Sequence, residues 1–209
     1  MFNISKEFAC CYGHRVFVQK LNEDFCAKGD TSTKCRHIHG HEGKLVVHIE
    51  ANSLDDRSMV VDFKELGWLK DFIDDNIDHK FIIAEHDPMF QKLVVDTYNS
   101  APTIDNAAFE PVTKEMLLAD IDGYSQMVYA GGTNLCVGKT LDLTYLQPGT
   151  PEYETLEGFF IVKFVPTSEE LSRWLYQIVD VKMVQIGAKV SRVEWHETPK
   201  SCAVYKGWQ

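Results

Sequence analysis

Hydrophobic and polar positions alternate through Lys44-Leu45-Val46-Val47-His48-Ile49-Glu50, the period of a β-strand. A short apolar run ending at Phe8-Ala9-Cys10-Cys11-Tyr12-Gly13-His14-Arg15 predicts another strand near the start of the chain. From Asp62 the period changes: Phe63, Leu66, Leu69, Phe72, Ile73 and Ile77 recur at helical spacing. Asp62 with Glu65 three residues on has the form of a capping box, and Val61 and Leu66 are spaced as a hydrophobic staple. The stripe reads as core. A second helix is expected after Pro166, capped by Thr167 with Glu170 at the reciprocal position. Leu171, Trp174, Leu175 and Ile178 make its buried face. Lys189–Glu197 and Ser201–Tyr205 read as two strands joined across Thr198-Pro199-Lys200, a proline-containing link suited to a tight hairpin.

Residues 87–165 interrupt this order. Phe159-Phe160-Ile161-Val162-Lys163-Phe164-Val165 reads as a buried strand, and Met116–Met127 as partly helical. Gly131-Gly132 and Gln147-Pro148-Gly149-Thr150-Pro151 mark turns. Gly138-Lys139-Thr140 has the ending of a phosphate-binding loop, but the earlier glycine would have to stand at Thr133, so the pattern fails. The segment is assigned no chemistry. Without it the element order is β-β-α-α-β-β, which divides the chain into a domain of 1–86 and 166–209 and an inserted segment of 87–165. Four strands with two helices on one face leave open sheet edges, which invite assembly.

The formal charge of -10 over 209 residues argues against a nucleic-acid surface, because neutralising phosphates needs clustered Lys and Arg. A small anionic ligand is still admissible. Neither a membrane-length apolar run nor a secretion signal is visible. The six cysteines (10, 11, 26, 35, 136 and 202) sit in a chain too long for a disulfide-held scaffold, so a reduced, cytoplasmic protein is expected. Cys10, Cys11, Cys136 and Cys202 read as small buried hydrophobes. Cys26 and Cys35 flank a polar loop, and a metal site built on that pair alone would lack ligands.

The chemistry concentrates at His39-Gly40-His41, with Cys35 four residues ahead of the first histidine. On a strand, residues i and i+2 share a face, so His39 and His41 can present two imidazoles to one point. Glycine between them allows close backbone approach. Two neutral imidazoles begin a zinc site, and a catalytic zinc takes a third protein ligand and keeps an open position. His14, on a strand pairing with the one through Leu45–Ile49, is the candidate third ligand. The plain alternative is a pair of surface histidines before a strand.

Phe8…His14-Arg15, Cys35-x-x-x-His39-Gly40-His41, Val61-Asp62-Phe63-x-x-Leu66, Asp78-His79, Pro166-Thr167-Ser168-Glu169 and Glu197-Thr198 occur in that order. Together they resemble the family of 6-pyruvoyl-tetrahydropterin synthases and 6-carboxytetrahydropterin synthases, over most of 1–86 and 166–209. The resemblance implies an α+β tunnelling fold: an antiparallel four-stranded sheet with two helices on one face, here carrying a long insertion. It implies assembly as a homo-oligomer, a hexamer built as a dimer of trimers. It also implies a zinc ion on His14, His39 and His41, and 7,8-dihydroneopterin triphosphate as substrate.

In the roles the family would assign, Cys35 is the base, since a thiol near a divalent cation ionises more readily. Asp78 and His79 belong to the proton-transfer apparatus, a carboxylate and an imidazole that can work near neutral pH. Adjacent strand residues point oppositely, so Asp78 need not bond His79. Glu197, on the face of Val193 and Trp195, offers two acceptor oxygens to a pterin ring N–H and exocyclic amine, and is expected to anchor the pterin. Thr167 and Ser168 either line the same pocket or simply cap their helix. The three-residue gap between Cys35 and His39 resembles the carboxy branch, of queuosine (7-deazaguanine) biosynthesis, in which the substrate loses triphosphate and acetaldehyde. The pyruvoyl branch, and a non-catalytic pterin- or metal-binding protein of the same fold, are the alternatives. His37 could compete as a ligand, His48 and His196 are expected to face solvent or a neighbour, and His86 marks the start of the inserted segment.

Overall fold

A computed structural model describes residues 1–28, 32–119, 121 and 138–207. Two 13-residue strands, β1 (Phe2–His14) and β2 (His39–Ala51), pair antiparallel along their whole length, from Phe2 opposite Ala51 to His14 opposite His39. On the other side of β2 lies β5 (Lys189–Thr198), with Leu45 opposite Trp195 and Val47 opposite Val193, and β6 (Ser201–Tyr205) closes the hairpin with β5. These four strands are antiparallel, as the resemblance implies.

The sheet does not stop there. β3 (Lys80–Ala84) adds to β1 in parallel, and β4 (Phe159–Val162) adds to β3 in parallel, giving a six-stranded mixed sheet in the order β4-β3-β1-β2-β5-β6. The expected four-stranded antiparallel sheet is corrected on this point. β4 lies within residues 87–165, so that segment contributes to the sheet itself. A parallel pair needs a long crossover connection. The chain between β3 and β4 is that crossover, and it covers one face of the sheet. Along β3 and β4 successive residues enter different cores: Ile82, Phe160 and Val162 join one, while Ile83, Phe159 and Ile161 join the other. A strand buried on both faces reads as a continuous apolar run, without the alternation that marks β1 and β2. Phe159–Val162 shows such a run, whereas Lys80–Ala84 is only five residues long with a lysine at its start, too short to stand out.

The first core is closed by α1 (Gly67–Asn76) and α5 (Ser168–Val184). Asp62 caps a 3₁₀ turn over Phe63–Leu66 that leads into α1, its side chain accepting from the Lys64 N–H, so the helical start falls where the capping pattern put it. Val61 and Leu66 are both buried there. Thr167 caps α5 by accepting from the Glu170 N–H at 3.3 Å. Leu171, Trp174, Leu175 and Ile178 are buried in this core, Trp174 against Phe72, Phe160 and Phe164, each contributing on the order of 1.5–3 kcal/mol by leaving water.

The second core lies on the opposite face. A π-turn at Gln91–Val95 runs into α2 (Asp96–Ser100), followed by α3 (Lys114–Leu118) and α4 (Pro151–Glu157). Phe90, Val94, Tyr98, Leu146 and Leu156 pack there on Ile83, Phe159 and Ile161. The helical expectation over Met116–Met127 holds only through Leu118: Ala119 is a non-helical C-cap and Ile121 lies in a turn, while residues 120 and 122–127 lie outside the described residues. The outer edge of β4 is bridged by Lys139, which exchanges backbone hydrogen bonds with Ile161 at 2.9 and 2.8 Å. Among the described residues β6 is the edge without a further strand. Cys10 is buried as expected, but Cys11 and Cys202 are exposed, and Cys136 lies outside the described residues. Among the described residues no helix is long and apolar enough to cross a membrane.

Candidate functional site

The β1–β2 register sets His14 directly across from His39 and Tyr12 across from His41. Side chains on one face therefore converge. The ring centroids of His14, His39 and His41 lie 4.6–5.1 Å apart, and one nitrogen of each stands within 4.8 Å of the others. His14 is fully buried, and its Nδ1 donates to the Pro166 carbonyl oxygen at 2.6 Å. A carbonyl only accepts, so Nδ1 carries a proton and Nε2 is the nitrogen left to face the other two histidines. His39 is oriented the same way, its Nδ1 bonding the His37 carbonyl oxygen at 2.9 Å. The Nε2 atoms of His14 and His41 are buried with no hydrogen-bond partner. Burial, before the neighbouring imidazoles, lowers the His41 pKa, against the pull of Glu197, so this imidazole stays neutral. Three converging imidazoles, two of them with buried and unpartnered Nε2 atoms, suit a divalent cation, and backbone-held histidines are the usual support of such ligands.

Glu197 projects from the end of β5 on the face of Val193 and Trp195. Its Oε1 lies 3.3 Å from His14 Nε2 and 3.6 Å from His41 Nε2, outside hydrogen-bond alignment but in close contact. The His14 side chain holds the Glu197 carboxyl below its ordinary value, burial opposes this, and Ser168 adds a hydrogen bond. Cys35 sits in a 3₁₀ turn (Lys34–Arg36) between β1 and β2. Its backbone is pinned on both sides, the N–H donating to Gln19 Oε1 at 3.0 Å and the carbonyl accepting from Val16 at 2.6 Å. Cys35, Thr167, Ser168 and Glu197 line one cavity of about 680 Å3. Thr167 is thus both a helix cap and a wall of that cavity.

Asp78 and His79 lie in the turn before β3. His79 adopts φ 57°, and its Nδ1 stands 2.9 Å from Asp78 Oδ2, so the two side chains do bond, unlike neighbours on a regular strand. The other oxygen, Oδ1, accepts from the Cys11 N–H at 2.7 Å, and this contact, ahead of the one to His79, lowers the Asp78 pKa. The His79 side chain is largely exposed. It opens on a different cavity, of about 810 Å3, which also includes Cys11, Glu42 and Glu154 and reaches His39 and His41. The cavity holding Cys35 and Glu197 is not lined by it.

Sequence reasoning missed the support beneath the histidines. Tyr12 is buried, its ring 5.2 Å from His14 and 5.7 Å from His41, and its hydroxyl accepts from Trp195 Nε1 at 3.2 Å. Gly43 makes room for it: a Cβ there would stand 2.8 Å from a Tyr12 ring carbon. An aromatic two residues before His14 on the same strand face was the available signal. Also missed was the buried pair next to His14, with Arg15 Nε 3.4 Å from Asp87 Oδ2. Among the remaining histidines, His37 enters the site through its backbone carbonyl, and His86 packs on Phe17. His48 is buried rather than facing solvent, and both it and His196 reach Glu194.

A family model described as 6-pyruvoyl tetrahydropterin synthase matches residues 3–207. A solved structure described as uncharacterized protein WS1659 from Wolinella succinogenes is 36% identical, with a TM-score of 0.75 over 99% of this chain and 98% of that one. A protein of Aquifex aeolicus named 6-carboxy-5,6,7,8-tetrahydropterin synthase is 38% identical over 96 residues, 44% of this chain and 59% of the relative. One of the same name from Rickettsia typhi is 34% identical over 83 residues, 39% of this chain and 51% of the relative. The chain thus spans between half and three fifths of the length of these two named relatives. The match of the family model over residues 3–207 establishes that the chain belongs to the 6-pyruvoyl tetrahydropterin synthase family.

Proposed function

We propose that this protein is a zinc-dependent 6-carboxy-5,6,7,8-tetrahydropterin synthase, converting 7,8-dihydroneopterin triphosphate to 6-carboxytetrahydropterin with release of acetaldehyde and triphosphate. The observation that carries the reading is the convergence of His14, His39 and His41, two of them with buried and unpartnered Nε2 atoms, beside the Glu197 carboxylate. The Cys35-x-x-x-His39 spacing and the names of the Aquifex and Rickettsia relatives favour the carboxy product. Queuosine biosynthesis in the cytoplasm is the setting that goes with it.

The three histidines would hold the zinc ion, which would supply Lewis acidity toward the hydroxyl-bearing side chain of the substrate. Cys35 Sγ takes a substrate proton as general base. Glu197 accepts from the pterin ring N–H and exocyclic amine, with Ser168 steadying the carboxylate. Thr167 lines the same pocket. His79, oriented by Asp78, relays a proton. Residues 87–165 are, in this reading, an insertion into a catalytic domain formed by 1–86 and 166–209. The protein works as a homo-oligomer, a hexamer built as a dimer of trimers, for which β6 offers an edge. A stable monomer at micromolar concentration in sedimentation would overturn the oligomer.

Zinc-loaded protein incubated with dihydroneopterin triphosphate, followed by mass spectrometry of the pterin, tests the activity. A 6-carboxy product is expected. A 6-pyruvoyl product would select the other branch, favoured by the description of the matching family model. Unchanged substrate would leave a pterin- or metal-binding protein that does not turn over.

A further inference from the structure

We propose that the sheet carries a second transition-metal site, formed by Glu194, His196 and Cys202 on the face opposite the three histidines. On β5, Val193 and Trp195 are buried in the core on the helix face, and Glu197 continues that face toward His14. Glu194 and His196 alternate with them and therefore project the other way. The β5–β6 register sets Cys202 directly across from His196, close enough for the two side chains to meet. One ligand-type atom from each of the three residues lies within 4.8 Å of the other two.

The spacings agree with a common metal. His196 Nε2 is 3.6 Å from Cys202 Sγ and 3.2 Å from Glu194 Oε2. Around a tetrahedral zinc, with Zn–S about 2.3 Å and Zn–N or Zn–O about 2.0–2.1 Å, ligand atoms stand roughly 3.3–3.6 Å apart. The carboxylate is divided between two tasks. Oε2 faces His196, while Oε1 is held by Arg192 Nε at 3.0 Å and lies 2.7 Å from His48 Nε2. Such outer contacts orient a ligating carboxylate. Lys44, across from His196 on β2, has its ammonium on Glu7 at 3.3 Å. Thiolate, imidazole and carboxylate together select a borderline-soft divalent ion such as zinc or cobalt, and three protein ligands leave the fourth position open.

Cobalt(II) titration of the full chain tests this by a signal that the three-histidine site does not give, the thiolate-to-cobalt charge-transfer absorption in the near ultraviolet. We expect two equivalents of cobalt per chain, with the charge-transfer band saturating at one of them. Cys202→Ser is expected to abolish the band and one equivalent, and His196→Gln to lose the same equivalent. His39→Ala is expected to remove the other equivalent and keep the band. Cys202 is exposed on an edge strand, so its serine variant should fold, which circular dichroism checks. Absence of the band from the unaltered protein would overturn the proposal. So would a band that survives Cys202→Ser, since another thiol such as Cys35 would then be the ligand.

Discussion

His14 and Pro166 are joined by a 2.6 Å hydrogen bond across 152 residues of sequence. The Pro166 carbonyl accepts a hydrogen bond from Nδ1, so Nε2 is the nitrogen turned toward His39 and His41. The same residue pair ties the end of β1 to the entry of α5, next to its Thr167 cap.

It follows that His14→Ala or His39→Ala lowers the metal content of the histidine site sharply, while His37→Ala leaves it unchanged. His37 contributes a backbone carbonyl, which any residue retains. Metal analysis of each variant in a Cys202→Ser background isolates this site. Equal losses in the His37 and His39 variants would mean the ligands are misassigned.

Cys35 and Glu197 share a cavity but should fail differently. Cys35→Ala is expected to keep zinc and still bind a pterin, with turnover reduced about 10²–10⁴-fold, the usual cost of losing a positioned acid or base. Glu197→Gln puts an amide donor pair where the pterin also donates, so binding weakens as well as turnover. A rate, a binding isotherm and a metal assay for each variant separate the two. Near-normal turnover in Cys35→Ala would assign the base elsewhere.

Asp78 gives a pH signature. Its folded pKa lies below the ordinary 3.8, chiefly through the Cys11 N–H and then through His79. A depressed carboxyl contributes stability that is complete above the unfolded pKa and is lost as pH falls through the folded value. Asp78→Asn should therefore cost about 1 kcal/mol near pH 7, and the difference from the unaltered protein should shrink below about pH 4. Urea unfolding at pH 7 and at pH 3 measures it. An equal difference at both values would show that the carboxylate charge is not what matters.

Gly43→Ala tests the support under the histidines. The added methyl would meet Tyr12 ring carbons at 2.8 and 3.1 Å and Trp195 at 3.4 Å. Overpacking of this kind costs roughly 1–3 kcal/mol. Since Tyr12 packs on His14 and His41, the variant should also bind metal more weakly at that site. Unfolding curves and metal titration check both effects, and unchanged metal affinity would show that the ring does not position the ligands.

Much of the scaffold was legible in the sequence because its signals are local. The alternation through Lys44–Glu50, the caps at Asp62 and Thr167, and the helical stripe from Phe63 each depend on a few neighbouring residues whose one-sided burial leaves a period. The spacing of His39 and His41 needed only strand geometry, and a paired His14 strand was the one long-range step it required. Tertiary structure decided the rest. β4 was legible as a continuous apolar run, but β3 was not, and the parallel pairing of the two depends on a crossover that the chain between them supplies. The separate cavities of Cys35 and His79, and the closeness of Glu194, His196 and Cys202, likewise come from strand register and from which face each residue takes. Register is fixed by burial summed over whole strands, a quantity no short stretch of sequence contains.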